Sequence, residues 1–209
     1  DNVQILPELA IDHRTSPTNI GLGLLATLAA HDLGFIETDD LVRRTDQTLT
    51  TIERLDRHEG HLLNWYDTRT LAPLQPAYVS TVDSGNLAGA LLTLSVGLRE
   101  IAPPLAARAD RLFAAMNFRF LLDPKRQLLA IGYRLADADG AGRLDASHYD
   151  LLASEARLAS FLAIAKGDAP ELHWFRLGRP VTSVRGAPVL LSWSATLFEY
   201  LMPLLVMRS

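Results

Sequence analysis

Apolar residues recur at intervals of three and four along most of the chain, and this spacing predicts a mainly helical fold. The first helical segment follows Ser16 and Pro17, residue types that favour a helix cap and a first helical position, and Gly34 ends it. Further segments with the helical period lie at about 38–60, 84–101, 104–116, 149–168 and from 192 onward. The chain is therefore expected to alternate helices with loops.

Two stretches depart from this period. In 118–135, apolar residues alternate with other residues on both sides of the turn sequence DPKR, which predicts a β-hairpin. The link 61–86 is rich in aromatic, proline and polar residues, so we expect it to be non-helical. The predicted fold class is mainly α, with one β-hairpin near 118–135.

Composition excludes several classes of protein. The chain has 209 residues, 48% of them hydrophobic, which suits a globular domain with its own core. Its formal net charge of −4 argues against a nucleic-acid-binding surface. The most apolar run, 189–207, contains Glu199 and Pro203, so we expect a buried helix there and no membrane contact by this segment. Cysteine is absent and no pattern of metal ligands is complete, so no cofactor or metal is expected.

One carboxylate departs from the apolar pattern of 149–168. Glu155 has three leucines and an alanine at helical spacing, which places it on an apolar helix face. A buried charge needs a partner, a shifted pKa or a wet cavity, so Glu155 either pairs with Arg157, Lys166 or another arginine, or lines a polar cavity. Glu199 has the same placement in the last helix, and two such acids favour a shared cavity. Paired carboxylates are what the chemistry of glycosidic bonds requires.

The link 61–86 concentrates residue types that bind sugars. Aromatic faces can cover the C–H faces of pyranose rings, and planar amides and carboxylates can bind pairs of hydroxyl groups. The candidates, all expected outside regular helices, are Asn64, Trp65, Asp67, Arg69, Asp83 and Asn86. The alternative is a loop anchored by a core tryptophan, in which Asp83 caps the next helix.

A third group lies further along the chain and contains Arg176, Arg179 and Trp193. The two arginines either pair with the buried acids, which would be a structural role, or hold an anionic or hydroxyl-rich ligand. The residues alone leave both possibilities open.

Six long motifs are the most specific features of the sequence. They are RTSPTNIGLGLLATLAAHDLGF, GHLLNWYDTRTLAPLQPAYVSTVDSGNLAG, MNFRFLLDPKRQLLAIGY, YDLLASEARLASFLAIAKGD, HWFRLGRP and LLSWSATLFEYLMP. Together they resemble the glycoamylase-like domain of cyclic β-1,2-glucan synthases, and the resemblance covers essentially the whole chain. His148 stands where many members of that family have a tyrosine.

The resemblance implies a fold, a partner and a location. The fold is an (α/α)6 toroid of alternating inner and outer helices, of which this chain would hold a part. The parent proteins are large bacterial inner-membrane synthases that combine a glycosyltransferase domain, this middle domain and a phosphorylase-like domain. The implied partners are a β-1,2-glucan chain and the other domains of the parent synthase, and the middle domain itself is expected to be soluble and cytoplasmic.

The resemblance also implies an activity and the residues that perform it. The activity is retaining transglycosylation, which cleaves linear β-1,2-glucan and closes it into a ring without a cofactor. Glu155 matches the position of the nucleophile. The residues that fall in the motifs expected to line the glucan site are Trp65, Asp67, Asp83, Asn86 and Arg176.

Two departures from the family pattern affect this expectation. The family pattern continues past residue 209 into a Trp-Gly-x-Ser-Glu-Ser-Ala-Tyr signature, whose Glu is the natural acid/base partner. The family also has a long stretch between the positions of Glu100 and Pro104, which are close together in this sequence. We therefore expect residues 1–209 to be one glycoamylase-like domain present as a fragment, inactive alone, with a segment missing near 100–104 and its C-terminal part absent. A non-catalytic β-1,2-glucan-binding module, a β-1,2-glucan hydrolase and a structural spacer are the alternatives.

Overall fold

The computed structural model describes residues 2–138 and 140–207, and the fold is α-rich. The α-helices in these ranges are α1 (Pro17–Asp32), α2 (Thr38–Arg54), α3 (Thr81–Leu98), α4 (Pro103–Ala115), α5 (Arg157–Ala165), α6 (Leu172–Arg176) and α7 (Leu197–Leu201). Short 3-10 helices lie at Phe118–Leu121 and Met202–Leu205. Within the same ranges, no helix combines the length and apolar character needed to cross a membrane.

Short antiparallel strands connect the helices. They are β1 (Asn2–Gln4), β2 (Ala10–Asp12), β3 (Arg14–Thr15), β4 (Arg57–His58), β5 (His61–Leu62), β6 (Tyr66–Asp67), β7 (Tyr78–Ser80), β8 (Leu122–Asp123), β9 (Leu128–Leu129), β10 (Gly132–Arg134), β11 (Arg143–Leu144), β12 (Val181–Val184) and β13 (Ala187–Leu190). The order β11-β10-β7 makes a three-stranded sheet, and the two-stranded pairs are β1-β2, β3-β6, β4-β5, β8-β9 and β12-β13.

The first two helices begin where the sequence predicts. The Ser16 side chain accepts a hydrogen bond from Asn19 N at 3.2 Å, and Pro17 occupies the first helical position of α1. Helix α2 begins at Thr38 and has two aspartates in its first turn, where their charge interacts favourably with the helix dipole. The predicted mainly α class is confirmed, and the partial toroid stays a prediction.

Helix α3 is the centre of the structure. It packs against α1, α4 and α5, and it is buried on nearly every face. A helix that is apolar all round belongs in a core, and small residues let its neighbours approach closely. At Gly85 the approach is so close that an added Cβ would lie 2.6 Å from the Cβ and 2.7 Å from the Cα of Ala159 in α5. This contact fixes the start of α5 against the start of α3.

The predicted hairpin near 118–135 is present but shorter. Residues 118–121 form a 3-10 helix, which buries Phe118 and Leu121 together because residues three apart share a face in that conformation. Strand β8 then pairs with β9 across the DPKR turn. Strand β10, predicted to belong to the hairpin, pairs with β7 and β11 instead.

The helix predicted over 149–168 is also shorter, because it begins at Arg157. The preceding residues satisfy their backbone groups elsewhere: Leu152 N donates to Gly178 O at 2.9 Å, and Gly178 N donates to Asp150 O at 2.6 Å. Backbone groups at this depth need partners, and here a distant segment supplies them. Glu155 therefore lies in the turn before α5, not in the middle of a helix as predicted.

Two further boundaries differ from the predictions. The link predicted as non-helical to residue 86 ends at 80, so Asp83 and Asn86 lie on α3, and Ser80 caps this helix in place of Asp83 by accepting from Asp83 N at 3.3 Å. The prediction of a buried helix over 189–207 is wrong. Residues 187–190 are strand, and a capping box at Thr196 delays the helix to Leu197.

Candidate active site

Four ionisable side chains come together near the first residues of α3 and α5. Asp83 is in the first turn of α3, Glu155 lies just before α5, and Glu199 is in the first turn of α7. Burial raises the pKa of Glu155, and the negative charges of Glu199 and Asp83 raise it further. Burial also raises the pKa of Tyr149, followed by the charges of Glu155 and Asp83. We refer to Asp83, Glu155 and Glu199 as the carboxylate cluster.

Glu155 is half-buried and has no cationic partner within the described ranges. Its Oε2 accepts a hydrogen bond from Ser154 Oγ at 3.5 Å. The guanidinium of Arg157 and the ammonium of Lys166 donate instead to backbone carbonyls, at 3.0 and 2.9 Å. The interpretation of Glu155 as the ion-pair partner of Arg157 or Lys166 is therefore wrong. Burial beside two other acids makes this carboxyl group easier to protonate than an ordinary glutamate.

Asp83 is held by two neighbouring segments. Its Oδ1 accepts from Thr18 N at 3.3 Å and from Thr18 Oγ1 at 2.6 Å. With the Asn64 amide oriented to satisfy both of its neighbours, Asn64 Nδ2 donates to Asp83 Oδ2 at 3.2 Å. Asn64 Oδ1 accepts from Trp65 Nε1 at 3.1 Å, and Asn86 Nδ2 donates to Thr18 Oγ1 at 3.0 Å. The structure therefore joins four predicted residues in one hydrogen-bonded network: Asn64, Trp65, Asp83 and Asn86.

Glu199 is a buried carboxylate whose side chain stabilises its own helix start. It accepts hydrogen bonds from Thr196 N at 2.8 Å, Thr196 Oγ1 at 3.0 Å, Ser194 N at 3.0 Å and Ser192 Oγ at 3.1 Å. Burial acts to raise the pKa of Glu199, but these hydrogen bonds outweigh it, so the pKa lies below its usual value. Glu199 is ionised while the pKa of Glu155 is raised, and such opposite shifts in neighbouring carboxyl groups are typical of acid/base sites.

Asp67 and Arg69 occupy a turn of their own. Asp67 Oδ1 accepts from Arg69 N at 2.8 Å and from Thr70 N at 2.9 Å, and Arg69 Nη2 lies 3.3 Å from Asp67 Oδ2. These backbone hydrogen bonds lower the pKa of Asp67 to about 2. Both residues therefore have a structural function in this turn, and their contact with a glucan stays a prediction.

Arg176 and Trp193 lie on the surface. Arg176 is exposed at the end of α6, and Arg179 donates to backbone carbonyls. In the part of the chain that the structure describes, neither arginine pairs with Glu155 or Glu199, so the structural interpretation of these arginines as partners of the acids is wrong. Trp193 is 64% exposed.

The sequence did not indicate two residues of this site. Thr18 is the second residue of α1, where a hydroxyl is usually explained by local capping, and its contact with α3 depends on helix packing. Tyr149 is the first residue of the motif that contains Glu155, and this position was the available signal in the sequence. Neither side chain is distinctive until the helices are assembled.

The α-rich fold is similar to the folds of solved glucoamylase-like proteins and β-1,2-glucanases. A putative glucoamylase from Bacteroides fragilis matches with a TM-score of 0.70 and 17% identity, over 91% of this chain and 48% of that chain. An endo-β-1,2-glucanase from Chitinophaga pinensis, in complex with sophorotriose and glucose, matches with a TM-score of 0.67 and 17% identity, over 88% and 46%. A Talaromyces funiculosus endo-β-1,2-glucanase, in complex with β-1,2-glucan, matches with a TM-score of 0.66 and 11% identity, over 85% and 44%. At these identities the similarity concerns the fold.

Sequence comparison leads to a more specific relationship. Residues 11–112 match a family described as a protein of unknown function, DUF3131. The whole chain is 31% identical, over an alignment of 336 residues, to the cyclic β-(1,2)-glucan synthase NdvB of Rhizobium meliloti (strain 1021). The chain is thus similar along its whole length to a cyclic β-1,2-glucan synthase, and the resemblance seen in its motifs is confirmed. It spans 12% of the length of that synthase.

Proposed function

We propose that this chain is part of a carbohydrate-active domain that acts on β-1,2-glucan, with Glu155 as a catalytic carboxyl group. Similarity along the whole chain to a cyclic β-(1,2)-glucan synthase, and of the fold to β-1,2-glucanases, supports the substrate class. The observation that carries the proposal is the half-buried Glu155, whose pKa is raised by burial and by two neighbouring acids and which has no cationic partner among the described residues. A group of this kind is suited to proton transfer.

The shifted pKa bears on the role of Glu155. A nucleophile must be ionised, whereas a general acid must hold a proton until the glycosidic bond breaks. The raised pKa favours the second role: Glu155 donates its proton to the glycosidic oxygen as the bond to the anomeric carbon breaks. It then accepts the proton of the incoming hydroxyl group as the oxygen of that group bonds to the anomeric carbon. The nucleophile role implied by the family resemblance is the second candidate, and it belongs to a retaining transglycosylation that closes the glucan into a ring.

The other two acids fit supporting roles. Asp83 and Glu199 each accept several hydrogen bonds, which fix the orientation of both carboxyl groups, and those to Glu199 lower its pKa. Their fixed negative charges keep the pKa of Glu155 high and are suited to stabilise positive charge on the sugar ring in the transition state. Asn64 holds Asp83 directly, and Trp65 and Asn86 hold its two partners, Asn64 and Thr18.

We also propose that the chain is one part of a larger glycoamylase-like domain, as the family resemblance implies. The fold neighbours are about twice as long as the part that this chain matches. Apolar side chains of α7 and of the 3-10 helix that follows it are exposed, among them Leu197, Leu201 and Leu205. Contiguous exposed apolar surface usually packs against another segment or partner.

The test is Glu155→Gln in the full-length protein that contains this chain. The variant should lose cleavage and ring closure of β-1,2-glucan, whereas Glu100→Gln, a change at an exposed glutamate, should leave them intact. Dinitrophenyl β-sophoroside separates the two roles, because its leaving group needs no proton. Cleavage of this substrate by Glu155→Gln supports the general-acid role, and its loss supports the nucleophile role. Normal glucan turnover in Glu155→Gln would contradict the catalytic role of Glu155 and leave glucan binding as the function of this chain.

A further inference from the structure

A cavity of about 390 Å³ lies beside the carboxylate cluster. Its polar and aromatic lining consists of Arg126, Ser147, His148, Tyr149, Asp150 and Trp193, and aliphatic side chains complete its wall. Tyr149 belongs to both places, because it lines the cavity and its charged neighbours are Glu155 and Asp83. The cavity therefore reaches the cluster through one side chain.

Trp193 is exposed but held in place by its neighbours. Ser192 Oγ and Ser194 N, on either side of it, both donate to Glu199, at 3.1 and 3.0 Å. An exposed indole loses the free energy that burial would provide, so a constrained and exposed tryptophan is suited to a ligand surface. One acid of the carboxylate cluster thus also positions the aromatic side chain of the cavity.

Asp150 has an unsatisfied acceptor at the cavity. Its Oδ1 is buried and has no hydrogen-bond partner in the described part of the chain. Its backbone is fixed, because Gly178 N donates to Asp150 O at 2.6 Å. A buried acceptor without a donor is unfavourable, and a ligand hydroxyl group would supply the missing donor.

His148 forms a wall of the cavity, and both of its ring nitrogens have protein partners. Its side chain is 8% exposed, its Nδ1 lies 3.5 Å from Arg126 Nη1, and its Nε2 lies 3.1 Å from Asp123 Oδ2, which orients the ring from the hairpin turn. Arg126 Nε lies 3.7 Å from the same carboxylate oxygen, so the arginine charge is largely balanced. The cavity thus has hydrogen-bonding groups without a surplus of positive charge, which favours a neutral polyol over an anion.

We propose that this cavity binds one glucosyl unit next to the glycosidic bond that is broken, with the sugar ring on Trp193 and its hydroxyl groups on Asp150 and Ser147. The inference rests on the proposed function and extends it to a binding subsite.

Calorimetric titration with sophorotriose tests the subsite. It is performed in the full-length protein carrying Glu155→Gln, so that turnover cannot interfere. Asp150→Ala should weaken binding by about tenfold, the loss expected for a hydrogen bond to a charged acceptor. Asp150→Asn keeps a carbonyl acceptor and should lose less, and it replaces Asp150→Ala if that variant does not fold.

Tryptophan fluorescence locates the bound sugar. Sophorotriose should change the emission of the protein, and the change should disappear in Trp193→Phe but persist in Trp174→Phe, the matched control on α6. Unchanged affinity in both Asp150→Ala and Trp193→Ala would overturn the subsite, even if Glu155→Gln abolishes turnover. Weakened binding in those variants together with normal turnover in Glu155→Gln would retain the subsite and overturn the proposed catalytic function.

Discussion

Gly85→Ala should destabilise the protein and move its candidate catalytic group. A Cβ at Gly85 would lie 2.6 Å from the Cβ of Ala159, 2.7 Å from its Cα and 2.7 Å from its backbone N. Contacts between carbon atoms are favourable at about 3.5–4 Å, so helix α5 has to shift by roughly 1 Å. No rotation of a side chain relieves the overlap, because two of the three atoms belong to the backbone. Glu155 lies just before α5 and would move with it.

The magnitude follows from two opposing effects. Overpacking of a tight interface costs about 1–3 kcal/mol, and backbone overlap favours the upper part of this range. Replacing a helical glycine by alanine contributes about 1 kcal/mol in the opposite direction. The free energy of unfolding should therefore fall by about 2 kcal/mol. Displacement of Glu155 should reduce glucan turnover by at least about tenfold, since small misplacements of catalytic groups are costly.

Urea denaturation followed by circular dichroism measures the change in stability, with Gly23→Ala as the control. Gly23 lies within α1, and an added Cβ would meet nothing within 4 Å, so that variant should be as stable as the wild type or up to about 1 kcal/mol more stable. If Gly85→Ala matched Gly23→Ala in stability and kept wild-type turnover, the close packing of α3 on α5 could not be what positions Glu155.

Three further predictions concern single side chains. Glu155→Gln should be more stable than the wild type at neutral pH, because the raised pKa of Glu155 makes its ionisation unfavourable in the folded state. The gain in stability should vanish below the ordinary pKa of 4.5. Urea midpoints measure it, and an equal gain at acidic and neutral pH would contradict this prediction. Asp67→Asn should be less stable than the wild type above the ordinary pKa of 3.8, and the difference should shrink as the pH falls toward about 2, where the folded wild type binds the proton; thermal melting across this range is the measurement, and a pH-independent difference would refute it. Thr196→Ala removes a helix cap, so it should lower the unfolding free energy by about 1 kcal/mol and increase the mobility of Trp193, seen as lower fluorescence anisotropy. Thr196→Ser keeps the hydroxyl group and should behave like the wild type. Equal anisotropy in both variants would count against the cap as the support of that tryptophan.

Local signals were sufficient where neighbouring residues define the structure. The cap at Ser16, the proline that follows it and the periodic apolar residues of α1 and α2 predicted both helices with accurate starts. The aspartates in the first turn of α2 carried the same kind of information, because helix dipoles act over one turn. Each of these effects depends on residues close together in the chain, and a sequence displays such residues directly.

Local signals failed where distant segments compete for the backbone. The residues around Leu152 have a strong helical pattern, yet they bond to Gly178 and leave the helix to begin at Arg157. The run that contains Trp193 is apolar enough for a buried helix, but the hydrogen bonds to Glu199 hold it as a turn. In both places the deciding partner is fixed only when the chain folds back on itself.

The sequence by itself determined which chemistry is present: an unusual glutamate in apolar surroundings, a second acid of the same kind, and a link rich in amides, aromatic residues and carboxylates. The tertiary structure alone decided that Asp83, Glu155 and Glu199 lie close enough to shift the pKa of Glu155. The reason is that electrostatic effects depend on distance and burial, and both are set by the packing of α3 against α5 at Gly85 and Ala159. No spacing along the chain encodes that contact.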